Sequence, residues 1–307
     1  MKPGRTERCN PNSRGLDRKS TRDVLHILNR EDARVALAVR RELPRIAKAV
    51  DAIVNSFRSG GRLFYVGAGT SGRLAVLDAA ECPPTFGTSP KLVQAVIAGG
   101  ARALRHAVEG AEDSAANGAG DLSSAGLSRR DVVVGIAASG TTPYVLGALA
   151  YARRRGAVTV GVTSNTKSPL ARSAQIAIAP DTGPEAIAGS TRLKAGTAQK
   201  MVLNLLSTGA MVRFGRVYEN WMVHVAMTNQ KLRARGARIL EEAAGVKPAV
   251  AEHALQWAGY NLPAAIVMLK SGAGLSQARR FLQEARGNVR EALNIAQASK
   301  TNRKGRS

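Results

Sequence analysis

Five short runs of apolar and β-branched residues, at 62–66, 92–98, 131–138, 158–162 and 175–178, are separated by Ala-rich stretches with helical spacing. Strands that alternate with helices are joined by crossovers, which make the sheet parallel, cover both of its faces and place ligands at the carboxyl ends of the strands. The predicted fold class is therefore α/β, a doubly wound and mainly parallel sheet. At 307 residues the chain is longer than one ordinary domain, which predicts one large domain plus an appendage. Apolar residues make up 44% of the sequence but aromatics only 4%, so the core must be packed from Ala, Val, Leu and Ile.

The flanks of this alternation are helical in pattern. Val24, Leu25, Ile27, Leu28, Val35, Leu37, Leu43, Ile46, Ile53 and Val54 recur at three and four residues. Ser20 or Thr21 is expected to cap the first helix, and the acids at 31 and 32 to sit in the first turn of the second, near its positive dipole end. Beyond Gly189 a long helix is predicted from 197 to 212, continuing past Tyr218 to about 235. After Gly245 come short helices at 248–258, 262–269 and 275–282, with a last one near 289–297. The expected organisation is N-terminal helices over 1–57, the α/β domain over 58–240, a small three-helix (UBA-like) unit over 245–298, and a polar, basic, disordered tail over 299–307.

The formal charge of +23 would suit a nucleic-acid backbone. Residues 1–22, however, hold seven Lys/Arg against two Asp/Glu, and residues 268–307 hold nine against two, so about half of the excess lies in the two ends. Basic ends read as solvated tails, and nucleic acid is not an expected partner; the remaining charge fits an anionic small molecule. Cys9 and Cys82 are too few for a disulfide framework, and the four histidines lack metal-ligand spacing, so no metal site is expected. The sequence shows no apolar stretch after its basic start and no apolar run of 18 residues, which points to the cytoplasm and away from a membrane.

Two strand-to-helix junctions carry chemistry. Gly67, Gly69 and Gly72 satisfy Gly-x-Gly-x-x-Gly after the first strand, where glycines let backbone N–H groups approach a phosphate and a helix N-terminus favours negative charge. A dinucleotide site would want an acid at the end of the second strand, and none is there. The hydroxyls of Thr70 and Ser71 instead suit a phosphate ester. The second junction, Ser139, Gly140, Thr141 and Thr142, repeats this chemistry, and two such loops in one sheet suggest a shared sugar phosphate. A third polar segment, with Ser190, Thr191, Arg192 and Lys194, sets two cations beside hydroxyls. Between the junctions, Pro83 and Pro84 are expected to stop a helix and leave Glu81 at its stiffened end, an electrostatically unfavourable place for an acid. A second acidic cluster holds Glu109, Glu112 and Asp113.

Taken together, the stretches at 64–74, 81–87 (Glu-Cys-Pro-Pro-Thr-Phe-Gly), 109–113 (Glu-Gly-Ala-Glu-Asp), 183–200 and 29–32 make the sequence resemble the bacterial N-acetylmuramic acid 6-phosphate etherases. These are a branch of the sugar-isomerase (SIS) superfamily related to the glucokinase regulatory protein. The resemblance spans nearly the whole chain. It implies a SIS-type phosphosugar-binding domain, a homodimer, and a carbon–oxygen lyase that needs neither cofactor nor metal. Glu81 and Glu112 match the family's two catalytic carboxylates, the first as the acid that helps lactate leave and the second as a further acid/base. Gly69, Thr70, Ser71, Ser139, Gly140, Thr141, Thr142, Ser190, Thr191 and Lys194 are the expected substrate-binding residues. One departure is Thr141, where the family commonly carries Arg. The alternative class is a sugar-phosphate-binding regulator without chemistry, but that relative is much longer, with duplicated SIS modules, whereas this sequence has a single copy and both acids.

Overall fold

Strand β1 (Leu63–Gly67) stands inside the sheet because every residue of it is apolar or small and buried. It pairs in parallel with β2 (Val93–Ile97) on one side and β3 (Val132–Ile136) on the other; β4 (Val158–Val162) and β5 (Ile176–Ile178) extend the sheet to the order β2-β1-β3-β4-β5. The computed structural model describes residues 7–227 and 229–304; the parts of the predicted N-terminal segment and basic tail at 1–6 and 305–307 lie outside the described residues. The doubly wound parallel sheet expected from the alternation is the fold observed.

Side chains along β1 alternate between the two faces. Phe64 and Val66 join the core built on α5 (Ala115–Ser124), α6 (Pro143–Arg154) and α7 (Pro169–Ser173). The side chain between them points the other way: Tyr65 donates to Asp78 at 2.9 Å, on α4 (Gly69–Phe86). Asp78, 6% exposed, also accepts from Asn204 at 2.6 Å and Ser207 at 3.1 Å, both on α8 (Lys194–Arg213), so one buried carboxylate ties a strand and two helices together. At the opposite end of the strands, Asp131 accepts from the Arg62 backbone N–H at 2.8 Å and pairs with the Arg62 guanidinium at 2.9 Å, which sets the relative start of β1 and β3.

The N-terminal helices are α1 (Thr21–Asp32), α2 (Val35–Arg40) and α3 (Leu43–Arg58). Ser20 caps α1 as expected, accepting the Asp23 N–H. Glu31 and Asp32, however, end α1 and do not open the second helix. Their unfavourable position is offset at Glu31 by a tertiary partner, the ammonium of Lys194, with Asn10 and Asn12 donating at 2.7 and 2.8 Å. Burial pushes the Glu31 carboxyl up, but these hydrogen bonds outweigh it and hold the group down at about 2.

Residues up to Ala80 and Pro90–Ala210 form one compact unit; Glu81–Ser89 and the residues from Met211 onward form a second. In the second, α9 (Gln230–Ala244), α10 (Pro248–Trp257), α11 (Leu262–Ser271), α12 (Leu275–Glu284) and α13 (Val289–Lys304) enclose their own core of Leu240, Ala251, Ile266, Val267 and Val289. Burial and the neighbouring Arg216 push His224 down to about 4, so its ring is neutral near neutrality and Nε2 faces the Gly287 carbonyl at 3.0 Å.

Three local expectations are corrected. The predicted helix from 197 to 235 is broken by a hairpin of β6 (Val217–Tyr218) and β7 (Trp221–Met222), turned at Glu219 with φ 52°, after which α9 runs through Gly236, whose missing Cβ leaves room for the Met227 side chain. Helix α4 continues through Pro83 and Pro84 to Phe86. Proline's fixed φ is itself helical, so the pair removes two N–H donors without removing the helical path, and Gly87 N–H closes the last turn on the Pro83 carbonyl at 2.9 Å. Finally, α13 extends to Lys304, so the disorder expected from 299 does not begin there; packing of Val289, Ala292 and Ala296 anchors the helix that carries these polar residues.

The Glu31–Lys194 pair generates a prediction. Glu31→Gln leaves a buried ammonium without its counter-ion and should lower stability by roughly 3–5 kcal/mol in urea unfolding. Because the folded carboxyl is held below its ordinary value of 4.5, its contribution is complete above that pH and is lost as pH falls toward about 2. The gap between wild type and variant should therefore narrow across that window; a gap constant from pH 6 to pH 2 would contradict the assignment.

Candidate active site

The β2-β1-β3 order makes β1/β3 the point where successive connections leave in opposite directions, and a crevice opens there beyond the strand ends. Gly67 pairs with Ile136, so the two strands finish level and the loops that follow face one another. A cavity of about 390 Å³ lies between these loops, walled by Ala68 to Ser71 from the first and by Ala137 to Ser139 and Thr141 to Pro143 from the second. Glu112 and Asp113, from the single turn Ala111–Asp113, and Gly189, Thr191 and Glu7 complete the wall.

Each loop is shaped by close contact. Behind the first, a Cβ on Gly72 would stand 2.5 Å from Ile97 Cγ1 and 2.8 Å from the Gly67 carbonyl, so only glycine lets the chain turn from strand into helix at this point. Gly140, at φ 71°, fills the same role in the second loop, its missing Cβ leaving room for the Ser168 and Thr163 hydroxyls. The Gly140 carbonyl accepts from Leu170 N–H at 3.0 Å, and the Ala138 carbonyl accepts from Ser164 N–H at 3.0 Å and Thr163 at 3.1 Å. The loop is thus held from α7 and from the end of β4 before any ligand arrives.

Electrostatically the site is built from dipoles and hydroxyls. Helices α4 and α6 both begin at the cavity, so two positive helix ends converge there. Thr142, the residue capping α6, makes no side-chain capping bond, which leaves its hydroxyl for another acceptor. Ser139 accepts from the Thr141 hydroxyl at 2.9 Å and from its N–H at 3.2 Å. The Ser71 hydroxyl donates to Gln199 at 2.9 Å. Deeper in the same unit, Glu185 accepts the first two N–H groups of α8 at 3.0 and 2.9 Å; burial still pushes its carboxyl up.

The structure brings together Gly69, Thr70, Ser71, Glu112, Ser139, Thr141, Thr142 and Thr191. Gly140 supports its loop from behind, and the Ser190 N–H closes a turn on Ile187 at 3.0 Å. Lys194 is not brought to the cavity: it is 1% exposed and its ammonium faces Glu31, because a buried cation requires a counter-ion. Among the described residues the cavity wall holds no Lys or Arg. Glu81 is exposed on α4 and belongs to the second unit. Sequence reasoning missed Glu7, which stands in a basic segment without periodicity, and Gln199, an interior helix position with no local signal.

Residues 45–153 match the glucokinase regulatory protein N-terminal SIS domain, and residues 114–209 match the SIS domain. N-acetylmuramic acid 6-phosphate etherases from Geobacillus thermodenitrificans and Yersinia pestis are 51% and 53% identical to this chain over 288 residues, covering 94% of it and 98% of each relative. The chain belongs to the N-acetylmuramic acid 6-phosphate etherase family. An etherase from Actinobacillus pleuropneumoniae is 50% identical over the same share of the chain and 95% of its own. Among solved structures, a phosphoheptose isomerase from Francisella tularensis superposes with a TM-score of 0.49 at 18% identity, covering 62% of this chain and 98% of that one.

The turn behind the first loop is directly testable in this etherase-family chain. Gly72→Ala forces a methyl into the contact with Ile97 and the Gly67 carbonyl, and overpacking of this kind should cost about 1–3 kcal/mol. Chemical denaturation reads the change, and an unshifted midpoint would show that the turn can open without cost.

Proposed function

We propose that this chain cleaves the lactyl ether of N-acetylmuramic acid 6-phosphate by elimination followed by water addition, giving N-acetylglucosamine 6-phosphate and D-lactate. The observation that carries this reading is the pair of hydroxyl-rich loops facing across one cavity with Glu112 in its wall, in a chain half identical to proteins named as etherases. That identity favours an enzyme over a sugar-phosphate-binding regulator. The phosphate is assigned to the cavity end formed by Gly69, Thr70, Ser71, Ser139, Thr141 and Thr142, where helix ends and hydroxyl donors supply the positive field.

The chemistry follows from the substrate. Opening of the sugar ring exposes a carbonyl at C1, which acidifies the proton on C2. Glu112, as base, takes that proton; the electron pair forms the C2–C3 double bond as the C3–O bond breaks, and Glu81, as acid, protonates the departing lactate oxygen. Water then adds its hydroxyl to C3 and a proton to C2. Each positioned proton transfer is worth roughly 10²–10⁴ in rate. A homodimer and a cytoplasmic location belong to the same proposal. No helix among the described residues is long and apolar enough to cross a membrane.

The two acids separate in an isotope experiment. Glu81→Gln should keep substrate binding and C2 proton exchange with heavy water while lactate release falls by roughly 10²–10⁴. Glu112→Gln should lose the exchange itself. Exchange lost only in the Glu81 variant would reverse the roles, and full lactate release by both folded variants would remove the carboxylate mechanism.

A further inference from the structure

Ser71 is nearly buried at the start of α4, and its hydroxyl donates to Gln199 Oε1 at 2.9 Å, joining α4 to α8. A serine hydroxyl carries one proton. With that proton directed at Gln199, Ser71 offers the cavity only lone pairs, which repel an anion. The other end of the same carboxamide is equally poorly matched: Gln199 is 2% exposed and its Nε2 has no hydrogen-bond partner among the described residues. Folded proteins seldom leave a buried N–H unpaired.

One rotation resolves both features. Turning the Gln199 carboxamide by half a turn about its last bond exchanges two groups of nearly equal size. Nε2 then donates to Ser71 Oγ, and the serine proton is released toward the cavity. The amide oxygen takes the unpaired place, which a carbonyl tolerates better than an N–H. We propose that Gln199 is a positioning residue that sets the direction of the Ser71 proton: entry of a phosphate ester favours the rotated amide and a Gln199-to-Ser71-to-phosphate chain of donors. Such chains polarise and strengthen one another inside a protein. In a cavity wall without Lys or Arg among the described residues, the orientation of each hydroxyl decides how well a dianion is held. The proposal rests on the reading of this cavity as the phosphate site.

The test uses the full chain and calorimetric affinity for N-acetylglucosamine 6-phosphate, with folding of each variant checked by thermal unfolding. Ser71→Ala in the wild-type background should weaken binding about ten-fold or more, the range of a lost charge-assisted hydrogen bond. Gln199→Glu, assayed at a pH where the new carboxylate is ionised, supplies only acceptors and keeps the serine proton, so affinity should fall similarly and adding Ser71→Ala should change little further. Gln199→Met removes the acceptor that holds the serine proton as well as the donor behind it, so binding should fall less than in the Glu variant and Ser71→Ala should keep most of its effect. Equal losses in the Glu and Met variants, or a Ser71→Ala effect that is the same in every background, would overturn the relay. Should the Glu variant not fold, disappearance of the Ser71→Ala effect in the Met background would overturn it. Ser139→Ala separates the two levels: if it weakens binding while the relay comparison fails, the cavity reading stands alone, and if neither serine matters in wild type, both fall.

Discussion

The pairing of β1 with β3 in level register is the constraint on which the candidate site depends. Because Gly67 stands opposite Ile136, both strands release their chains at the same height, and the helices that follow start side by side. A slip of one residue would exchange the two buried faces of β1, taking Tyr65 away from Asp78, and offset the two loops by more than 3 Å. Asp131 guards against this from the far end, since it grips the backbone and side chain of Arg62 while standing at the start of β3. The apolar alternation gives the sheet its stability, and this one buried carboxylate helps give it its registration.

The cavity that results solves an electrostatic problem without cations of its own. Net charge is strongly positive, yet among the described residues neither Lys nor Arg reaches the wall. Lys194, the cation best placed in sequence, neutralises Glu31 and so fastens the start of α8 to the end of α1, with Asn10 donating to that carboxylate and to the Pro184 carbonyl. What remains for an anionic ligand is two helix ends and a set of hydroxyls held by their neighbours. The helix dipoles are oriented in advance and need no reorganisation when the ligand arrives. Neutral hydroxyl donors also leave nearby carboxylates such as Glu112 without a competing cation.

Much of this was legible in the sequence, because strands and Gly-rich junctions are written locally. The continuous apolar run of β1, the glycines at 67, 69 and 72, and the hydroxyls at 139, 141 and 142 depend on spacing within a few residues, and the structure sets the two junctions around one cavity. Lys194 reads in the sequence as a cation for the substrate and Glu31 as an acid in the first turn of a helix, and only a partner 163 positions away turns the two into a buried pair. Glu7 and Gln199 carry no local signal at all.

What the sequence by itself determined is the sheet, its parallel sense and the position of its Gly-rich and hydroxyl-rich junctions, since backbone hydrogen bonding and burial act through neighbouring residues. Only the tertiary structure decided which charges are consumed in the interior, which hydroxyls face the cavity and where their protons point. It also decided that α4 runs on through its two prolines. Those outcomes depend on desolvation and on partners distant along the chain, and neither quantity exists until the chain has folded.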